Sequence, residues 1–475
     1  MGVASRIGTT LRLSRARVRR AITVLVVLAV AAATGVTVSL AAPALLVDLG
    51  LAEPQVIIAV PPPALPQLGA LPGNAPRPTA DGVAAALDAD AEAMPGRLTG
   101  IVLDPAGGDP LWNRSADRGL VPGSTGKLLT AGAALLTLDP TSTFVTRVVA
   151  GPDPGTVVLV GGGDPSLSAL PAGRDSLYPG APRLAQLAEQ VQQAVPGPIT
   201  RVLVDTSRYT GPTLAEGWFA ADIAGGYVAP IESLMVDGGR IDGTLQDGPR
   251  VQDPAQTAGR AFAGMLGVDP DTVGKGTAAP DARQLGAVSS APVTDLVEHL
   301  LRSSDNVLAE CFAREVALAR GGEPSFTGAA EQVLSALEQA GLDRSGAEMH
   351  DGSGLSTSDE VPARLLGSVL AAAAAPAHGP RTSERLRPLV TGLPVAGGDG
   401  TLDDRFGPDA TSASGRGVVR AKTGTLTGVS SLAGLVTDVD GRLLIFALMS
   451  NGPSPADSRP RLDAMAADLS RCGCR

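Results

Sequence analysis

The sequence predicts an α+β protein in which helices gather against one antiparallel sheet, with a second region of mixed short strands and helix in the chain. Three observations carry that expectation. After Val288 the pattern turns helical, with Val293, Leu296, Val297, Leu300 and Leu301 spaced for one buried face. Strands at 418–422, 429–436 and 443–449 follow, the last two separated by the turn signal Asp440-Gly441. Helices and strands segregated in this way make an α+β architecture, and 475 residues at 44% apolar content suffice for more than one domain.

From the N-terminus, residues 1–20 carry Arg6, Arg12, Arg15, Arg17, Arg19 and Arg20 and no acid. They are read as a cytoplasmic basic segment. The uncharged run 21–42 is long enough to span a bilayer and is read as a signal anchor, with a cleaved signal peptide as the alternative. Either exports the remainder. Residues 43–78 are proline-dense and predict an extended linker.

Folding is expected from residue 79, with a short helix to about 93 and a strand at 98–103. A helix is expected at 124–138, where Leu128, Ala131 and Leu135 share a face before Pro140. Residues 141–285 read as a second, mixed region, with strands at 144–149, 156–160 and 201–204 and a helix at 182–195. The remaining folded part is 79–140 with 286–475. Its later helices are expected at 306–320, 326–340 and 461–469.

Composition excludes several functions. The net charge is −10, and setting aside the six leader arginines leaves 32 basic against 48 acidic side chains. No nucleic-acid partner is expected of so acidic a body. His299, His350 and His378 are scattered without ligand spacing, so no metal, no cofactor and no Ser-His-Asp triad is expected. Cys311 is read as core packing, while Cys472 and Cys474 could pair in an oxidising compartment without being required to.

Lysine is the informative residue type, because the chain has three, Lys127, Lys275 and Lys422, among many arginines. Arginine is in effect never deprotonated, so a site that needs a neutral amine cannot use it. Lys127 lies three residues after Ser124, a spacing that puts both side chains on one helix face as a nucleophile and its base. Ser304-Asp305-Asn306 follows at a helix start, and Lys422-Thr423-Gly424-Thr425 ends a strand. Plain structural roles compete with each. Ser124, Asp305 and Asn306 could be helix caps, Lys422 a solvated strand-end charge, and Asp351-Gly352-Ser353-Gly354 either a turn or a site wall. Asp164 and Trp218 are read as structural, His350 as incidental.

The trio Ser-x-x-Lys, Ser-Asp-Asn and Lys-Thr-Gly resembles that of penicillin-binding proteins and class A β-lactamases. Further segments narrow the resemblance. Residues 122–127, 162–167, 204–207, 351–356 and 397–402 are similar to the D-alanyl-D-alanine carboxypeptidase/endopeptidase family, the class C low-molecular-mass penicillin-binding proteins. The resemblance implies a transpeptidase-like catalytic domain, 79–140 with 286–475, an inserted domain, 141–285, and peptidoglycan stem peptides and β-lactams as partners. A small β domain common in that family after the segment 235–240 is reduced or absent here. By resemblance Ser124 attacks, Lys127 takes its proton, Ser304 relays a proton to the leaving amine and Asn306 holds the substrate amide. Lys422, Thr423 and Thr425 bind the terminal carboxylate beside Gly424, and the amides of Ser124 and Thr425 hold the oxyanion. No Glu-x-x-Leu-Asn segment follows Asn306, which favours a peptidase. A β-lactamase or esterase of the same fold, or a non-catalytic wall- or β-lactam-binding module, are the competing functions.

Overall fold

The computed structural model describes residues 75–106, 110–375 and 379–475. The basic head, the apolar run, the linker up to residue 74 and His378 lie outside them. Among the described residues no helix is long and apolar enough to cross a membrane. The elements run α1 (Ala80–Ala93), β1 (Arg97–Leu103), β2 (Pro110–Arg114), β3 (Gly119–Leu120), α2 (Lys127–Thr137), β4 (Val145–Ala150), β5 (Thr156–Val160), α3 (Leu184–Ala194), β6 (Arg201–Asp205), α4 (Ala221–Ala224), α5 (Pro254–Met265), β7 (Gly274–Lys275) and β8 (Gln284–Ser289). They continue with α6 (Val293–Ser303), α7 (Asn306–Ala319), α8 (Phe326–Gln339), β9 (Val361–Pro362), α9 (Ala363–Ala374), α10 (Pro380–Thr391), β10 (Arg420–Leu426), β11 (Val429–Thr437), β12 (Leu443–Asn451) and α11 (Pro455–Arg471).

Five antiparallel strands in the order β10-β11-β12-β1-β2 form the first sheet. Both of its faces are covered, and the alternation of strand side chains decides what each meets. On β12, Leu444, Phe446 and Leu448 join Val83, Leu87, Leu462 and Met465 from α1 and α11. The intervening Ile445, Ala447 and Met449 face the helical block built from α2 and α6 to α10. That three-layer arrangement is the α+β architecture expected from the sequence.

The chain between α2 and α6 carries the second sheet, ordered β7-β6-β5-β4-β8 and mixed, with β5-β6 and β6-β7 parallel. Helices α3 and α5 cover one face, where Leu184, Leu187, Val191 and Phe262 meet Val148, Leu159, Val202 and Val204. The segment is fastened to the helical block by polar side chains. Arg208 pairs with Glu315, Tyr178 donates to Asp305 at 2.8 Å, and Trp218 Nε1 donates to Asp351 at 2.7 Å.

Two expectations need correction. The last helix begins at Pro455, with the Ser454 hydroxyl accepting from Ala456 N as its cap, and not after Pro460. Pro460 removes one hydrogen bond to the carbonyl of Ala456, and that residue is exposed, so water can replace it. Strand β10 starts and ends later than 418–422, because Val418 and Val419 still belong to a turn donating to Gly415 O. Cys311 is buried and free, and Cys472 is disulfide-bonded to Cys474. Near that disulfide the ends of the described body meet, since Thr79 N donates to Cys474 O at 2.7 Å and its hydroxyl to the same oxygen at 3.1 Å.

Candidate active site

Ser124 does not open an α-helix. It sits in a 3₁₀ turn, Gly123–Gly126, from which α2 continues at Lys127. At three residues per turn, side chains i and i+3 eclipse. The turn therefore sets Lys127 directly over Ser124, with Nζ 2.8 Å from Oγ. Lys127 is fully buried, and Nζ also reaches Asn306 Oδ1 at 2.5 Å and Ser353 O at 2.8 Å.

Those three acceptors match the three N–H bonds of an ammonium. In the neutral amine, Asn306 and Ser353 accept the two remaining N–H bonds and the lone pair faces the Ser124 hydroxyl. Burial pushes the Lys127 pKa down to about 8, against the opposing charges of Asp351, Glu310, Asp305 and Asp359. The arrangement thus holds a base near its working range.

Asn306 is the first residue of α7, and Asp305 is its cap, accepting from Leu308 N at 2.9 Å. The capping role weighed for Asp305 is real, whereas Asn306 turns its amide to Lys127 and, through Nδ2, to Tyr227 O at 2.9 Å. Ser304 links α6 to α7 in the left-handed conformation, φ 59°, which turns the chain sharply between the two helices. Its Oγ accepts from Lys422 Nζ at 2.8 Å. Lys422 is fully buried, also donates to Thr423 O at 3.0 Å, and its pKa is driven well down by burial, then by Lys127 and Arg405.

Thr423 bonds Thr401 Oγ1 at 2.8 Å. Gly424 lets β10 approach the serine turn: a Cβ there would lie 2.1 Å from Ser431 Oγ, 2.5 Å from Pro122 O and 3.0 Å from Ser124 N. On the same edge strand Ala421 N points outward to Pro394 O, and the two-residue repeat turns Thr425 N the same way, beside Gly123. The amides of residues 124 and 425 therefore lie where β10 closes on the serine turn.

The segment 351–354 is both a turn and a wall. Asp351 accepts from the amides of Ser353, Gly354 and Ser356 and from Trp218. Thr130 Oγ1 donates to Gly352 O at 2.6 Å. Glu310 was not singled out from the sequence. It is fully buried, accepts from Gly352 N with both oxygens, and burial followed by the Asp351 charge pushes its pKa up to about 8. Nothing in a single sequence marks a backbone carbonyl 226 positions from Lys127 as its partner. Asp164 is buried and accepts from Ser166, and His350 lies among Glu216 and Glu348 outside this cluster.

The profile of the D-Ala-D-Ala carboxypeptidase 3 (S13) family matches residues 81–250 and 244–472. The chain belongs to that family. Within reach of this S13 chain, a carboxypeptidase of Mycobacterium tuberculosis is 47% identical over 405 residues, covering 84% of this chain and 86% of the relative. The carboxypeptidase DacB of Mycolicibacterium smegmatis is 46% identical over 423 residues, covering 87% and 90%. Among solved structures, penicillin binding protein 4 of Haemophilus influenzae superposes with a TM-score of 0.66 at 20% identity, over 82% of this chain and 99% of that one. The same protein complexed with a β-lactam gives 0.60 at 20% identity over 81% and 99%. The S13 chain thus has the penicillin-binding-protein fold.

Proposed function

We propose that the chain is a serine-type D-alanyl-D-alanine carboxypeptidase/endopeptidase that hydrolyses peptidoglycan stem peptides or their cross-links and is acylated by penicillin. The observation that carries this reading is Lys127 Nζ, buried and shared between Ser124 Oγ, Asn306 Oδ1 and Ser353 O. Family membership, and relatives named carboxypeptidases, support it.

Ser124 Oγ attacks the penultimate D-alanine carbonyl while Lys127 takes its proton. The oxyanion collects the N–H groups of Ser124 and Thr425, donors already oriented where charge develops. The carbon–nitrogen bond then breaks as Ser304 relays the proton held by Lys127 to the departing amine, which leaves the lysine neutral. Lys127 then deprotonates the attacking water and returns that proton to Ser124 Oγ as the acyl bond breaks. Asn306 orients the substrate amide. Lys422, with Thr423 and Thr425, holds the terminal carboxylate, whose negative charge restores the protonated form that burial disfavours.

The catalytic part is assigned to 79–140 with 286–475, and 141–285 to an insertion. The enzyme acts outside the cytoplasm, held by residues 21–42 where the leader is uncleaved. Labelling of the full chain with a fluorescent penicillin tests the reading. One equivalent should bind covalently and Ser124→Ala should bind none; stable labelling of that variant defeats it.

A further inference from the structure

A cleft of about 350 Å³ opens at the free-edge end of the first sheet, lined by Ala91, Met94, Leu98 and the arginines Arg97, Arg114 and Arg118. In a chain with 48 acidic side chains, several arginines elsewhere pair with carboxylates. Arg208 has Glu315, Arg240 has Asp305, Arg364 has Asp117, Arg405 has Asp463 and Arg442 has Asp104. Among the described residues, the side chains of Arg97, Arg114 and Arg118 have no hydrogen bond or ion pair. Water and salt screen the exposed Arg97 and Arg118, yet three like charges around one small space still attract an anion that enters it.

We propose that this cleft is a second binding site, for the phosphate or phosphodiester group of an anionic cell-wall polymer. A carboxylate is satisfied by a single guanidinium fork, whereas a tetrahedral phosphate presents several acceptor oxygens and suits a set of arginines. The volume holds one such group with an attached sugar or polyol. Ala91, Met94 and Leu98 supply an apolar floor for the carbon skeleton.

Its position suits the wall rather than a remote regulator. Arg97 pairs across the sheet with Asn451, and the Asn451 amide clamps Val121, three residues before Ser124, through bonds of 2.9 and 3.1 Å. From β2 to β10 there are four strand spacings, about 19 Å. A polymer covalently joined to the glycan can therefore occupy the cleft while a stem peptide of the same wall reaches Ser124. The choice of a wall polymer rests on the peptidoglycan reading above. Anion binding does not.

The test uses the full chain and the triple variant Arg97→Gln/Arg114→Gln/Arg118→Gln, so that the basic leader is common to both. Probes are inorganic phosphate, a glycerol-phosphate polymer, and vesicles of phosphatidylglycerol or phosphatidylcholine. The parent should bind the polymer with an affinity that falls as salt rises, and the triple variant should bind at least tenfold more weakly. Penicillin labelling should be equal in the two, since none of the three arginines is in the Ser124 site. That readout also tests the peptidase reading separately. If the triple variant misfolds, Arg118→Glu, at an exposed position, should produce the same loss. Equal binding of phosphate and polymer by parent and correctly folded variant overturns the site. Arginine-dependent binding confined to phosphatidylglycerol vesicles overturns the wall-polymer assignment in favour of lipid headgroups.

Discussion

Lys127 has three acceptors around one nitrogen, and that number decides how the residue can be tested. An arginine keeps the charge but has no accessible neutral form. Lys127→Arg should therefore retain its fold and lose acylation by roughly 100-fold or more, the ordinary worth of a positioned base. Stopped-flow labelling with a fluorescent penicillin measures it, and near-parental rates would count against the base. The sign of the pH effect follows from the same nitrogen. Only the neutral amine accepts the serine proton, and burial brings its pKa to about 8. The acylation rate constant should climb about tenfold per pH unit below about 8 and level off above it. At this scale the sequence displayed the side chains through lysine scarcity and spacing. It did not display the Ser353 carbonyl or Glu310, because a main-chain acceptor has no residue signature and a buried glutamate reads like any helical one.

The junction between α6 and α7 shows how an element end positions chemistry. Ser304 and Asn306 flank Asp305, whose carboxylate caps α7 and meets Arg240 at 3.1 Å and Tyr178 at 2.8 Å. Burial alone would raise the Asp305 pKa. The Arg240 and Arg250 guanidiniums and the Leu308 N–H outweigh it and hold the carboxyl below the ordinary carboxylate range. Asp305→Asn leaves Arg240 buried without its counter-charge, and urea unfolding should show a loss of about 3–5 kcal/mol. Because the folded pKa is depressed, the Asp305 contribution is complete above pH ~4 and disappears as pH falls through the folded value. Acid titration of parent and variant should therefore converge. Strands that form short apolar, β-branched runs and helices with one apolar stripe were readable in advance. Helix α9 was not, since apolar side chains nearly surround it and erase any periodicity. Strand β2 opens on Pro110 at a sheet edge, and β8 is interrupted by Gly286, so neither presents a strand pattern.

Over the whole molecule, the sequence revealed two architectures in one chain but not how the second fastens to the first. The fasteners are single polar residues in loops, Tyr178, Arg208, Trp218 and Arg240, and their partners are distant in sequence. Loop residues of that kind follow no periodicity, so only the folded chain reveals them. The pairing of Thr79 with Cys474 has a consequence of its own. With start and finish side by side, the body is almost a closed loop, and the order in which its parts are synthesised becomes an arbitrary choice. A circular permutant joining residue 475 to residue 79 through a short Gly-Ser bridge, and opened in the exposed stretch 171–175, should fold and still capture one penicillin. Gel fluorescence of the purified permutant reads the result. A permutant that stays unlabelled and unfolded would mean that the native starting point, and not the mere nearness of the ends, guides assembly.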